Sequence, residues 1–160
     1  MSIKSLLTDK ERKALNRAVQ SELYASHFYL YAASCTQKHG LFGAQAFFEQ
    51  EAAQEIDHYK RLRDVMNDFG DEAEMPMIEE VEFESEELMG ILQDAYDMEL
   101  DLLRLYEKIW DESSVSVKQA VLWFVEKQRE SVGEYGDLIS RLSIASGKEG
   151  VILFDEYLKG

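Results

Sequence analysis

The stretch Glu55-Ile56-Asp57-His58 sets a carboxylate and an imidazole three residues apart. In a helix that spacing puts both side chains on the same side. Carboxylate and neutral imidazole together suit iron, manganese or zinc. Glu55 is also one of four polar residues standing where apolar ones belong. Each of four apolar stripes along the chain has one such break, at Glu22, Glu55, Glu99 and Gln128. A buried carboxylate is expensive unless it is paired or binds a metal. One stripe glutamate can sit at the edge of a core and reach water with its acid. Three, near the middles of three long segments, need a common explanation. No Lys or Arg occupies the matching stripe positions, so internal ion pairing does not supply one.

The elements that must position these residues are helices. Apolar residues recur three and four apart, the mark of an amphipathic helix. The first helix is expected over residues 8–39, with the stripe Leu15, Ala18, Glu22, Ala25, Tyr29, Ala32. Thr8 followed by Glu11 reads as a capping box at its start. Gly40 and Gly43 close it. The second is expected over 44–69, with Phe48, Ala52, Glu55, Tyr59, Leu62 and Met66, and Gly70 ends it. The third spans 86–111, with Leu88, Leu92, Ala95, Glu99, Leu102, Tyr106 and Ile109 on one face. The fourth spans 117–145, with Val117, Val121, Phe124, Gln128, Ser131, Tyr135, Leu138 and Leu142. Gly133 and Gly136 inside it are expected to kink or loosen it. Gly147 and Gly150 precede a short apolar tail, 151–158.

Four long amphipathic helices predict an all-α four-helix bundle within a single domain over 1–160. Short connections make the first and second helices, and the third and fourth, antiparallel neighbours. Residues 71–85, acidic and holding Pro76, read as a linker. About 15 residues reach ~50 Å when extended, and a helix of ~26 residues is ~39 Å long. The linker is therefore long enough to cross the whole bundle and set the second and third helices parallel. Counted from the helix ends, the four polar breaks come within ~6–9 Å of one level.

Composition narrows the partners. The chain has 17 basic and 32 acidic residues, a formal charge of −15. Nucleic-acid phosphates and anionic membrane surfaces both demand clustered Lys and Arg, so neither is a partner. The acidity suits solubility, and it suits cations. Cys35 is the only cysteine, which excludes an intrachain disulfide and a cysteine-based zinc site. Residues 1–19 are charged throughout, with no apolar targeting core, and no apolar run is long enough to span a membrane. The expected setting is the reducing cytoplasm.

With these residues in place, the chain resembles the ferritins, and among them the bacterial non-haem ferritins. The resemblance runs through Leu15-Asn16, Ser21-Glu22-Leu23-Tyr24, Ala52-Ala53-Gln54-Glu55-Ile56-Asp57-His58 and Tyr96-Asp97-Met98-Glu99. It continues through Leu122-Trp123-Phe124-Val125 up to Gln128 and into the terminal segment. It implies a four-helix bundle with one long crossover and a short fifth helix, assembled as a hollow shell of 24 subunits. It implies Fe2+ and O2 as substrates, and two iron ions per subunit at a ferroxidase centre. Glu22 and His58 then match ligands of a first iron, Glu55 the bridge, and Glu99 the main ligand of a second. Gln128 matches the near-site glutamine that orders water or oxygen species. Tyr29 matches the tyrosine beside the centre that can supply an electron. It also reads as a packed aromatic with a bonded hydroxyl. Ferric product passes to a mineral inside the shell.

The chain departs from the fuller pattern of that family. Some members line a third iron site with extra glutamates. The matching positions here are Gln54, Lys127, Glu130 and Ser131, so only Glu130 keeps a metal-binding carboxylate. Glu126 and Glu134 flank it at helical spacing, as either an altered transit site or a solvated acidic face. Another di-iron carboxylate protein of the rubrerythrin or bacterioferritin type is the alternative. Those carry a second Glu-x-x-His on the fourth helix, where this chain has Gln128-Arg129-Glu130-Ser131. Bacterioferritin haem uses a Met directly after the bridging Glu. Here that residue is Ile56, which has no sulfur, so no haem is expected. A non-catalytic structural or signalling bundle would leave the aligned Glu and His residues without a purpose.

Overall fold

A computed structural model describes residues 3–160. The described residues form five helices: α1 (Asp9–Lys38), α2 (Phe42–Asp68), α3 (Leu88–Glu112), α4 (Val115–Ser143) and α5 (Gly147–Lys159). No strand occurs among them. The predicted capping box is present. The Thr8 hydroxyl accepts from Glu11 N–H at 3.1 Å, and the Glu11 carboxylate accepts from Thr8 N–H at 2.9 Å. Gly40 and Gly70 end α1 and α2 with φ of 77°, a conformation that favours glycine. In each case the next residue closes a wide turn, Leu41 N–H to Thr36 O and Asp71 N–H to Met66 O, both 2.9 Å. That is the Schellman arrangement.

Hydrogen bonds between distant residues define the topology. Leu6 N–H donates to Phe69 O at 2.8 Å, and the Glu11 carboxylate accepts from Ser114 N–H at 2.9 Å. The start of α1, the end of α2 and the α3–α4 turn therefore share one end of the bundle. At the other end, His39 Nε2 lies 3.6 Å from the Glu86 carboxylate. Helices α2 and α3 thus run parallel, and residues 69–87 cross the full length between them. That crossover follows α1. Asn16 Oδ1 accepts from Glu74 N–H at 2.9 Å, Gln20 Nε2 donates to Met77 O at 3.4 Å, and the Phe83 ring packs edge-on against Phe28 at 5.0 Å.

Two expectations about glycine are corrected. Helix α2 starts at Phe42 and includes Gly43, expected to lie outside it. Its first free N–H groups are capped from far along the chain: Asp155 on α5 accepts from Gly43 N–H at 3.0 Å and Ala44 N–H at 2.7 Å. A Cβ at Gly43 would fall 2.0 Å from Asp155 O, so this close approach requires glycine. Gly133 and Gly136, expected to kink the fourth helix, lie inside an unbroken α4. Neighbouring helices supply the packing that overrides their weak propensity. The fifth helix begins at Gly147, ahead of the expected 151.

The core has two apolar halves. One gathers Phe28, Tyr29, Phe48, Leu92, Tyr135 and Leu138. The other gathers Leu15, Leu62, Met66, Tyr106, Val121 and Phe124. Each fully buried Leu or Phe contributes roughly 1.5–3 kcal/mol. A polar layer lies between the halves, and all four stripe breaks fall in it, buried. No helix among the described residues is long and apolar enough to cross a membrane.

Candidate metal centre

Each of the first four helices sends its stripe break inward at the same level, and α2 adds His58. Glu22 comes from α1, Glu55 and His58 from α2, Glu99 from α3 and Gln128 from α4. Ligand atoms of Glu22, Glu55 and His58 all lie within 4.8 Å of one another. His58 turns Nδ1 toward both acids, 3.1 Å from Glu55 Oε2 and 3.3 Å from Glu22 Oε2. This three-residue helical spacing works because side chains so placed stack on one face.

Glu99 belongs to the same layer but not to that cluster. Its carboxylate accepts from the Tyr29 hydroxyl and from the Gln128 amide. The same amide nitrogen reaches Glu99 O at 3.0 Å. Glu22 has its own tyrosine: the Tyr106 hydroxyl donates to Glu22 Oε1 at 2.6 Å. The Trp123 ring stands edge-on to His58 at 5.5 Å between centroids, with the Arg61 guanidinium 3.9 Å over it.

The electrostatics are those of crowded acids away from water. Burial pushes the Glu55 carboxyl well above its ordinary range, and the neighbouring Glu22 adds to this. Burial also raises Glu22. Hydrogen bonds from Glu55, His58 and Tyr106 outweigh that and leave it below the ordinary value. Burial and the charge of its neighbour thus set the two carboxyls apart, Glu55 raised and Glu22 lowered. Burial lifts Glu99 to about 7 despite the Tyr29 and Gln128 donors. Tyr29, Tyr106 and Tyr135 are pushed well above the usual tyrosine value by burial and remain protonated. Two convergent carboxylates and an imidazole nitrogen form a donor set for a divalent transition metal. Its binding would require Glu55 to be ionised.

Glu130 lies apart from the layer. It is exposed, and its carboxylate is 3.8 Å from Lys127 Nζ. Ser131 turns its hydroxyl back to Lys127 O at 3.2 Å. Sequence reasoning missed two partners. Tyr106 stood on the α3 stripe as an apolar residue, with no sign of its bond to Glu22. Glu51 was not singled out, although it sits one turn before Glu55 on the same face, which was the available signal. It is buried, accepts from the Tyr135 hydroxyl at 3.0 Å, and burial lifts it to about 7.

Comparison with known proteins agrees with this architecture. The Ferritin-like domain model matches residues 12–145. A bacterial non-haem ferritin of Campylobacter jejuni is 25% identical over 159 residues, covering 96% of this chain and 95% of the relative. One from Staphylococcus saprophyticus is 25% identical over 150 residues, covering 91% and 90%. Among solved structures, an open-pore ferritin from the archaeon Archaeoglobus fulgidus superposes with a TM-score of 0.89 at 20% identity, covering 96% and 97% of the two chains. A four-helix bundle with a full-length crossover and a fifth helix is thus a fold this chain shares with ferritins, and the chain belongs to the ferritin-like domain family.

Proposed function

We propose that this protein stores iron by oxidising Fe(II) with O2 at the polar layer and depositing the ferric product inside a hollow homo-oligomeric shell. The observation that carries the reading is the buried convergence of Glu22, Glu55 and His58 within 4.8 Å at mid-bundle. Two non-haem ferritin relatives that align with almost the whole chain support it.

Iron is the substrate. Glu22 and His58 hold the first Fe(II), Glu55 bridges, and Glu99 with Gln128 receives the second. A bridging carboxylate suits two metals ~3.5–4 Å apart. Each Fe(II) gives one electron, so two ions reduce O2 by two electrons. Protons on the Glu22–Glu55 pair and on Glu99 leave as the cations arrive. Tyr29, bonded to Glu99, is placed to supply a further electron. Trp123 and Phe124 shield the layer from bulk water on the α4 side. Glu130, exposed beside Lys127, is a stopping point for iron on the way through, with Glu126 near it. No haem takes part, because Ile56 offers no sulfur.

The shell is proposed to hold 24 copies. Ile144, Ile152 and Leu153 leave an exposed apolar face at the α5 end, suited to contact with other copies. The expected setting is the cytoplasm. The rubrerythrin or bacterioferritin alternative lacks its second Glu-x-x-His, since Gln128 and Ser131 stand there.

Anaerobic addition of Fe(II), followed by air, tests the reading. An amber, soluble product with wild-type protein is the expected result, with slow formation in Glu55→Ala and His58→Ala. Iron that precipitates as it does without protein would overturn the reading.

A further inference from the structure

We infer that Tyr135, with Glu51 as the acceptor of its proton, forms a second electron donor that acts on the metal centre through Tyr29. The inference rests on the ferroxidase reading above. Its basis is a continuous chain of contacts leading away from Glu99. The Tyr29 hydroxyl donates to Glu99. The Tyr29 and Tyr135 rings stack nearly parallel, 5.9 Å between centroids and 9° between planes. The Tyr135 hydroxyl donates to Glu51 Oε1 at 3.0 Å. Tyr29 and Tyr135 are 0% and 1% exposed, and Glu51 is 8% exposed.

Glu51 carries the chemical argument. It is not one of the clustered ligands, and no Lys, Arg or His among the described residues lies within 4 Å of it, Lys127 acting on it only from farther off. A buried carboxylate without a cation is costly. A glutamine could accept the Tyr135 hydroxyl bond without that cost. What glutamine cannot do is take up a proton. A phenol held protonated by burial must lose its proton when it loses an electron, and a carboxylate already bonded to the hydroxyl receives it without rearrangement.

Two Fe(II) ions carry two electrons, and full reduction of O2 to water takes four. Tyr29 supplies a third, its proton passing to the oxygen being reduced, and is left as a phenoxyl radical. Tyr135 then gives one electron across the stacked rings to the Tyr29 radical. The Tyr135 proton moves to Glu51, and a proton from water restores the Tyr29 hydroxyl. The net change is Tyr135 oxidised to a phenoxyl, the Glu51 carboxylate protonated and Tyr29 restored. Tyr29 can then give the fourth electron. Later Fe(II) ions reduce both radicals.

The test is rapid-freeze electron paramagnetic resonance on protein loaded anaerobically with two Fe(II) per subunit and mixed with O2, with iron oxidation followed by absorbance on the same samples. Wild type should show tyrosyl radicals of two hyperfine patterns, which narrow in protein made with ring-deuterated tyrosine. Tyr135→Phe keeps the stacked ring but loses one pattern. Glu51→Gln, which keeps a hydrogen-bond acceptor, loses the same pattern. Tyr29→Phe loses both. A purely structural pair would leave the spectrum unchanged in Tyr135→Phe and Glu51→Gln. That result, or no radical in a wild type that oxidises iron, overturns the inference while the ferroxidase reading stands. A wild type that oxidises no iron overturns the reading itself, and the inference with it.

Discussion

The two sides of the polar layer are built differently. On the α1–α2 side, Glu22, Glu55 and His58 turn their ligand atoms toward one another, and the two carboxylates repel when both are ionised. On the α3–α4 side, the Glu99 carboxylate already takes hydrogen bonds from Tyr29 and Gln128. A metal entering the first side relieves repulsion. A metal entering the second must displace or share neutral donors. The first side also holds more negative charge, because Ser131, whose hydroxyl points back to its own helix, adds none to the second. Under the proposed function, the layer is therefore one site with a strong position and a weak one. Beyond it the sides differ again: Tyr106 and Trp123 close the first, whereas the second continues through Tyr29 and Tyr135 to Glu51.

The largest effect is expected from breaking the strong position. Glu55→Ala or His58→Ala should slow Fe(II) oxidation by about 100-fold or more, since even outer partners of metal ligands cost 10–100-fold. Stopped-flow absorbance would measure it. Thermal unfolding should show the stability of apo Glu55→Ala held or raised, because a repelling buried carboxyl has gone, and that of apo His58→Ala lowered, because Glu22 and Glu55 lose their shared partner.

A smaller effect marks the far end of the second side. Glu51 is lifted by burial, then by Glu134 of α4 and Glu99 of α3, while Tyr135 and Lys127 oppose the lift. Its acid moves from 4.5 to about 7 in the folded protein, so the folded state binds this proton more tightly than the unfolded chain. Between those two values, stability falls as pH rises. The contribution present below 4.5 is gone above about 7. The loss should be on the order of 3 kcal/mol. Urea unfolding of wild type and Glu51→Gln at pH 5 and pH 8 would check it. The wild type should lose more stability than the variant over that interval.

Tyr106→Phe sharpens the comparison at still smaller cost. It removes the 2.6 Å donor that orients Glu22. Anaerobic calorimetry should show Fe(II) affinity at the strong position falling by about tenfold, with the weaker binding step unchanged. Equal loss at both steps would mean that the two sides are not separable.

Periodic features were legible from the sequence because they are local. The stripes, the Thr8–Glu11 cap and the acidic crossover follow from spacing within a few turns, and Glu22, Glu55, Glu99 and Gln128 stood out as breaks in those stripes. What was hidden depends on distant partners. Gly43 looked like a helix breaker because the side chain that caps α2 lies 112 residues away. Tyr106 and Tyr135 looked like core aromatics because only the folded chain shows where a hydroxyl goes. Glu51 shared a face with Glu55, but without its tyrosine it resembled one more surface acid in a chain with 32 acidic residues.

The central claim is the inequality of the two positions, and a timed soak tests it most directly. Crystals exposed briefly to Fe(II) without oxygen should show, by iron anomalous scattering, higher occupancy beside Glu22 and His58 than beside Glu99. Ser131→Glu, which adds a carboxylate to the weak side, should narrow the gap. Equal occupancy at the shortest soak, or a fuller position beside Glu99, would contradict the account.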